Sequence, residues 1–332
     1  MTYALRLFAV AAWVLSASCA VTSHDVLPEK RGVASSSETM EAALTQADAG
    51  PIKLTRIVAA DWVVDRAGLI NRDHPKAEAA GIESGDEDIQ IYFYVLEHPT
   101  HGTWLVDSGV EAALIGDPDE SAMGAIVRSA MNVDRMKVHI DTATWLKQHG
   151  APVKGLLLTH MHIDHILGIP DLPDDVRIFT GPDEPGASAF QNLVVQGTTD
   201  RYVEGHPPLA PLQMSPDPTK RFAGVLDFFG DGSLWVLHVP GHTPGSLAFV
   251  ARATDGVHLM VGDSCHTKWG WDNAVEPGGF TADHAANAVS LKALIDLAKR
   301  HPTMRVHLGH QTLEGDSKLV PIPPSARATP AE

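Results

Sequence analysis

The sequence predicts a layered α/β domain, and three observations carry that prediction. The chain has 332 residues, 44% of them hydrophobic and 20% charged, which is enough apolar material for a large core and too much for a disordered chain. Short segments of β-type composition recur in both halves, with helical segments between them, as a layered domain requires and a bundle or pure sandwich does not. Neither a short-period repeat nor a shift in composition marks out a second folding unit.

Taken in order, residues 1–20 place Arg6 before an apolar run at 7–15 and then small residues, the layout of a secretory signal. The run is too short for a comfortable membrane span. Cleavage is expected after Ala20, and Cys19 offers a second route, lipid attachment of the kind bacterial lipoproteins carry. Both routes predict an exported protein, either periplasmic or held to a membrane by lipid. Residues 21–50 are polar and small, the composition of a flexible arm. Strands are expected at 52–58, 89–96 and 103–106, the last two joined by a turn at 98–102. Residues 117–136 are rich in Met and Ala and read as helical or lid-like, and Asp141 should cap a short helix that stops at Gly150. Further strands are expected at 156–158, 176–179, 234–239, 247–250, 258–261 and 304–308. A helix over 285–299 shows Ala288, Leu291, Ile295 and Ala298 on one face. The domain is thus expected to span 51–320, followed by a loose tail at 321–332.

Charge and cysteine count narrow the function. Against 25 Lys and Arg stand 41 Asp and Glu, a formal charge of −16, which excludes nucleic acid as the main partner because phosphate backbones demand a positive surface. Two Cys cannot build a disulfide framework or a Cys-rich zinc module. The number out of keeping is 18 His.

Their arrangement points to metal chemistry. Thr159-His160-Met161-His162-Ile163-Asp164-His165 follows an apolar strand and places three His and one Asp within six residues. Neutral imidazole and carboxylate are ligands for zinc and similar divalent ions. His160 and His162 share one side of an extended segment and can share an ion, whereas Asp164 and His165 lie around the turn and can face a second. Three later strand ends also deliver such groups: His242 in Pro-Gly-His-Thr-Pro-Gly-Ser, Asp263 in Gly-Asp-Ser, and His310 in Leu-Gly-His.

In this order, HxHxDH, PGHTPGS, GDS and GH, the pattern resembles the metallo-β-lactamase superfamily over about residues 51–320. The resemblance implies an αββα sandwich with a dinuclear site at one edge. It implies that His160, His162 and His242 bind one ion, that Asp164, His165 and His310 bind the other, and that Asp263 bridges them. Asp107, in Leu-Val-Asp-Ser-Gly, matches the family's early strand-end Asp, which supports the ligand loops. A bridging Asp counts against antibiotic hydrolysis. It suits lactonases, glyoxalase II-like thioesterases and phosphotriesterase-type hydrolases such as methyl parathion hydrolase. The separations of 21 residues from His242 to Asp263 and 47 from Asp263 to His310 look most like N-acyl-homoserine lactonases, the quorum-quenching branch. Those enzymes carry Tyr three residues after the bridging Asp, where this chain has His266, which can donate the same hydrogen bond.

The expected activity is hydrolysis of a small lactone or ester by a hydroxide bridging two divalent ions, zinc first, with Fe, Mn or Co accepting the same donors. His266 would help stabilise the oxyanion, and Asp164 would carry the proton to the leaving alkoxide. Trp269, Trp271, Met123, Met131 and Met136 are candidates to line an apolar acyl pocket, with core packing as the alternative. The rival from another class is an exported metal-binding protein. Ligands dispersed over four strand ends, without a His tract, favour the enzyme.

Overall fold

Alternating β-branched and aromatic residues produce two long strands, Lys53–Asp65 and Asp86–His98, which pair antiparallel along nearly their whole length. The computed structural model describes residues 20–46, 49–188 and 192–313. In chain order its strands are β1 (Val33–Ala34), β2 (Lys53–Asp65), β3 (Asp86–His98), β4 (Gly102–Val106), β5 (Lys137–Val138), β6 (Val153–Leu157) and β7 (Ile178–Thr180). They continue with β8 (Ala210–Pro211), β9 (Gly224–Asp227), β10 (Leu234–His238), β11 (Leu247–Ala253), β12 (Gly256–Met260) and β13 (Arg305–His307). Two mixed sheets result, ordered β5-β2-β3-β4-β6-β7-β8 and β1-β9-β10-β11-β12-β13.

Side-chain alternation sorts the apolar residues into three cores between four layers. Leu234 and Val236 of β10, and Leu247, Phe249 and Ala251 of β11, meet Leu96, Trp104, Val106 and Phe179 of the other sheet in a core between the sheets. Their neighbours Trp235, Leu237, Ala248 and Val250 point the other way, onto Leu291, Leu294 and Ile295 of the helix His284–Arg300. On the outer face of the first sheet, Phe93, Leu105 and Leu156 pack on Trp145 and Ile166 from covering helices. The order helix, sheet, sheet, helix is the αββα sandwich. Strands buried on both faces also explain why β10 and β11 read as continuous apolar runs.

The expected helix after Asp141 is present as Thr142–His149, with the Asp141 carboxylate accepting from the Thr144 N–H and Gly150 ending it at φ 71°. Residues 117–136 form only a short helix, Ala125–Ala130, and a 3₁₀ turn, Val133–Arg135.

The reading of 21–50 as a flexible arm is corrected. The segment is a strap across both sheets: Val26 bridges Leu209, Glu29 bridges Leu212, and β1 pairs with β9. A helix, Ser37–Leu44, is capped by Ser36 and buries Met40 and Leu44 against the second sheet. The Arg31 guanidinium lies 4.6 Å from the Trp104 ring and 4.7 Å from Phe228. Polar composition concealed these few anchors. The helix Asn192–Val203 was also missed. Residues 1–19 and 321–332, to which the signal and the tail were assigned, lie outside the described residues. Among the described residues no helix is long and apolar enough to cross a membrane.

Candidate metal centre

Strand ends from both sheets converge at one edge of the sandwich. β4 runs out into Asp107, which adopts φ 57°, a left-handed conformation that Asp tolerates better than most residues. Its carboxylate accepts from the N–H and Oγ1 of Thr159, the first residue of the turn after β6, and so pins the start of the HxHxDH segment. The short helix Ile163–Ile166 then carries Asp164 and His165 into a second donor group, with the His165 ring still 4.2 Å from that of His160. From the other sheet, the turn after β10 brings His242, β12 leads to Asp263, and β13 leads to His310.

All seven expected ligands come together. The donor atoms of His160, His162, His242 and Asp263 lie within 4.8 Å of one another, and so do those of Asp164, His165, Asp263 and His310. Asp263 belongs to both groups. Its Oδ2 is 3.6 Å from His160 Nε2, 3.5 Å from His242 Nε2, 3.3 Å from His165 Nε2 and 3.3 Å from His310 Nε2.

Supporting hydrogen bonds select the tautomers. His165 Nδ1 donates to Asp107 Oδ2 at 2.8 Å, and His310 Nδ1 donates to the Gln90 carbonyl at 3.0 Å. Thr281 Oγ1 donates to the Pro277 carbonyl, so it accepts from His242 Nδ1 at 3.3 Å. In each case Nε2 is left facing the site. His160 Nε2, His165 Nε2 and Asp263 Oδ1 are buried with no hydrogen-bond partner, a costly state that a cation would relieve. The donor set therefore fits divalent ions.

Electrostatics divide the imidazoles. Burial, followed by neighbouring imidazoles, holds His160 and His242 well below the usual range, which keeps them neutral as ligands must be. Burial also disfavours the charged form of His165 and His310, but the surrounding carboxylates win. Asp263, Asp107 and Asp164 lift His165 well up, and Asp263 and Asp164 push His310 up to about 10. Against its own burial, Asp263 is held far below the ordinary carboxylate range by His266, His165 and His310. The carboxylates of this cluster thus favour positive charge at the position where His165, His310 and Asp263 meet, as a cation site does.

His266 faces the same cluster. Its Nε2 is 2.9 Å from Asp263 Oδ2, and its ring centroid is 5.1 Å from those of both His242 and His310. Neither ring nitrogen has a hydrogen-bond partner. Asp164, with 16% of its side chain exposed, opens toward solvent, and its Oδ2 lies 3.2 Å from His310 Nε2.

The candidate acyl-pocket residues belong to the cores, the alternative reading. Met123 is fully buried, Met131, Met136 and Trp269 pack against the same helix-side core, and Trp271 packs against the core of the second sheet. The cavity that borders His310, about 470 Å³, has Trp62 and Ile89 among its lining together with the charged residues Asp61, Asp88, Arg135 and Lys137. Sequence reasoning also missed Asn287, which accepts from the His242 N–H and donates to the Ser264 carbonyl, and Glu184, which bonds to two ligand-bearing turns. Neither stands in a spacing that could have flagged it.

A third group, His98, His101 and Asp231, has its donor atoms equally close. His98 Nδ1 already accepts from the N–H groups of Thr100 and His101, so Nε2 carries the proton and donates to Asp231 at 3.0 Å. That nitrogen has no lone pair for an ion.

The family model described as the metallo-beta-lactamase superfamily matches residues 86–310. Among curated relatives, N-acyl homoserine lactonase AttM of Agrobacterium fabrum is 24% identical over 238 residues, covering 65% of this chain and 80% of that protein. Gamma-lactamase FDB1 of Fusarium pseudograminearum is 25% identical over 229 residues, covering 62% of this chain, and the match spans only about half, 52%, of that protein's length. Among solved structures, the dizinc quorum-quenching lactonase AidC superposes with a TM-score of 0.52 at 15% identity, over 79% of this chain and 88% of that one.

Proposed function

The chain belongs to the metallo-beta-lactamase superfamily and is a metal-dependent hydrolase, and from that premise we propose that it opens lactones, N-acyl-homoserine lactones first, and cleaves related carboxylic esters. The observation that carries this reading is Asp263 Oδ2, which stands within 3.6 Å of imidazoles from both donor groups. AttM, with a lactonase name and a match to most of its length, supports the substrate class.

His160, His162 and His242 would hold one ion, Asp164, His165 and His310 the other, and Asp263 both. Imidazole and carboxylate donors favour zinc. When bound, the ions would lower the pKa of water and polarise a carbonyl oxygen. The remaining work falls to the chain. Asp164 is held well below the ordinary carboxylate range despite burial, by His165 and His310, and so is ionised as a ligand must be. Its position at the edge of the cluster, partly exposed, would let it relay the proton of the attacking water to the alkoxide that leaves when a lactone opens, a group that departs poorly unprotonated. His266, whose ring nitrogens make no hydrogen bond, would donate one to the oxyanion, the part a Tyr plays in the lactonases. The cavity beside His310, with Trp62, Val63 and Ile89 on its apolar side and Asp61, Asp88, Arg135 and Lys137 among its polar lining, would take the rest of the substrate.

The deciding experiment compares turnover by the zinc-loaded protein of an N-acyl-homoserine lactone, an aryl ester, a phosphotriester and a thioester. The lactone should be turned over with the highest kcat/KM. Turnover of the phosphotriester or thioester without the lactone would replace this reading.

We further propose that the protein is exported, on the strength of Arg6, the apolar run at 7–15 and the small residues ending at Ala20. Fractionation of cells expressing the full chain should find it outside the cytoplasm. Retention inside would remove the proposal.

A further inference from the structure

Behind the first donor group sits a carboxylate that the proposed chemistry does not use. Glu184, in the turn after β7, has no exposed surface. Its Oε1 accepts from the Met161 N–H at 2.7 Å. Its Oε2 accepts from Thr243 Oγ1 at 2.6 Å and from the Gly245 N–H at 3.0 Å. Met161 stands between His160 and His162, and Thr243 directly follows His242. One side chain therefore ties the backbone between His160 and His162 to the turn that carries His242, although those segments come from different sheets.

The turns are pressed against each other at this point. A Cβ on Gly181 would lie 1.7 Å from the Gly245 carbonyl oxygen, and one on Gly245 would lie 2.5 Å from Glu184 Cβ, so the approach depends on glycine on both sides. Burying a carboxylate is costly unless its oxygens are bonded, and here both are. Every partner is a donor, so the group must accept at both ends. A Gln amide would turn its own N–H groups toward one of the two turns.

We propose that Glu184 is a positioning residue that sets the spacing of His160, His162 and His242, and thereby the affinity of one ion and not the other. Its partners are Met161, Thr243 and Gly245, each beside a residue of the first donor group; none is Asp164, His165, Asp263 or His310, although Asp164 and His165 follow Met161 on the same segment. The inference rests on the reading of those three His as ligands of a single ion.

The test is a zinc titration of the full chain, purified metal-free, in competition with a chromophoric chelator. The wild-type protein should show two stepwise constants, and His310→Ala identifies the one belonging to the other ion. Glu184→Gln should weaken the remaining constant about 10- to 100-fold, the range typical for groups that orient metal ligands, and leave the His310-sensitive constant unchanged. Circular dichroism would show the fold retained. Equal loss of both constants, or no loss of either, overturns the proposal. If Glu184→Gln does not fold, Thr243→Val, which removes one donor at nearly constant volume, takes its place. It should weaken the same constant by a smaller factor, and an unchanged constant overturns the proposal. A wild-type chain that takes up fewer than two zinc ions overturns the reading of the site, and the role of Glu184 falls with it.

Discussion

His266 is the residue at which this chain differs most informatively from the lactonases it resembles. It is buried, lies 2.9 Å from Asp263, and has both ring nitrogens free of hydrogen bonds. If it stabilises the oxyanion, His266→Phe should lower kcat by about 10²- to 10³-fold while two zinc ions remain bound. Full activity in that variant would end the assignment, and loss of an ion would show that His266 acts on the metals instead. The residues that converge were legible because their chemistry confines candidate ligands to HxHxDH and to three strand ends. Glu184, Asn287 and the Gln90 carbonyl were not. Each is brought to its ligand by tertiary contact alone, and a polar residue that ends up buried has the same letter as one on the surface.

At the scale of elements, the strap before β2 is the main departure from expectation. Its anchors are sparse: Met40 and Leu44 in the helix Ser37–Leu44, Arg31 on the aromatic rings, and Ser37 on Asp217. Sparse anchors in polar surroundings read as a tether, just as two-residue strands such as β1, β5 and β8 leave no periodicity to detect. Long strands with branched side chains were legible, and so was the helix over His284–Arg300. Asp217 gives the strap a pH signature. Burial opposes its charge, but hydrogen bonds from Thr219 and from the Ser37 N–H bring its pKa down to about 2. A group lowered in the folded state adds stability above its unfolded pKa and loses it as pH falls toward the folded value. The gap in urea midpoint between wild type and Asp217→Asn should therefore be full at pH 7 and shrink between about pH 4 and pH 2. A gap that did not change with pH would show that the Asp217 charge does not hold the strap.

For the whole molecule, the two sheets are joined at the site edge by groups of which many are titratable, so ion binding and folding should be linked. Zinc at about 100 times its dissociation constant contributes about 2.7 kcal/mol for each site absent from the unfolded chain. Chelation should lower Tm by about 3 °C or more, reversibly on adding zinc, and an unchanged Tm would mean that the edge holds without ions. The strap also bears on how the protein could be held in place. Ala20 accepts a hydrogen bond from Gln196, and Thr22 and Ser23 bond to Asp200, so the fold begins docked on the helix Asn192–Val203. Cys19 is one residue, about 3.8 Å of chain, from that mooring. A lipid at Cys19 would thus come without a leash. The enzyme would ride against the bilayer on the face that carries Asn192–Val203, whereas cleavage after Ala20 would free it from the membrane with Thr22 and Ser23 still bonded to Asp200.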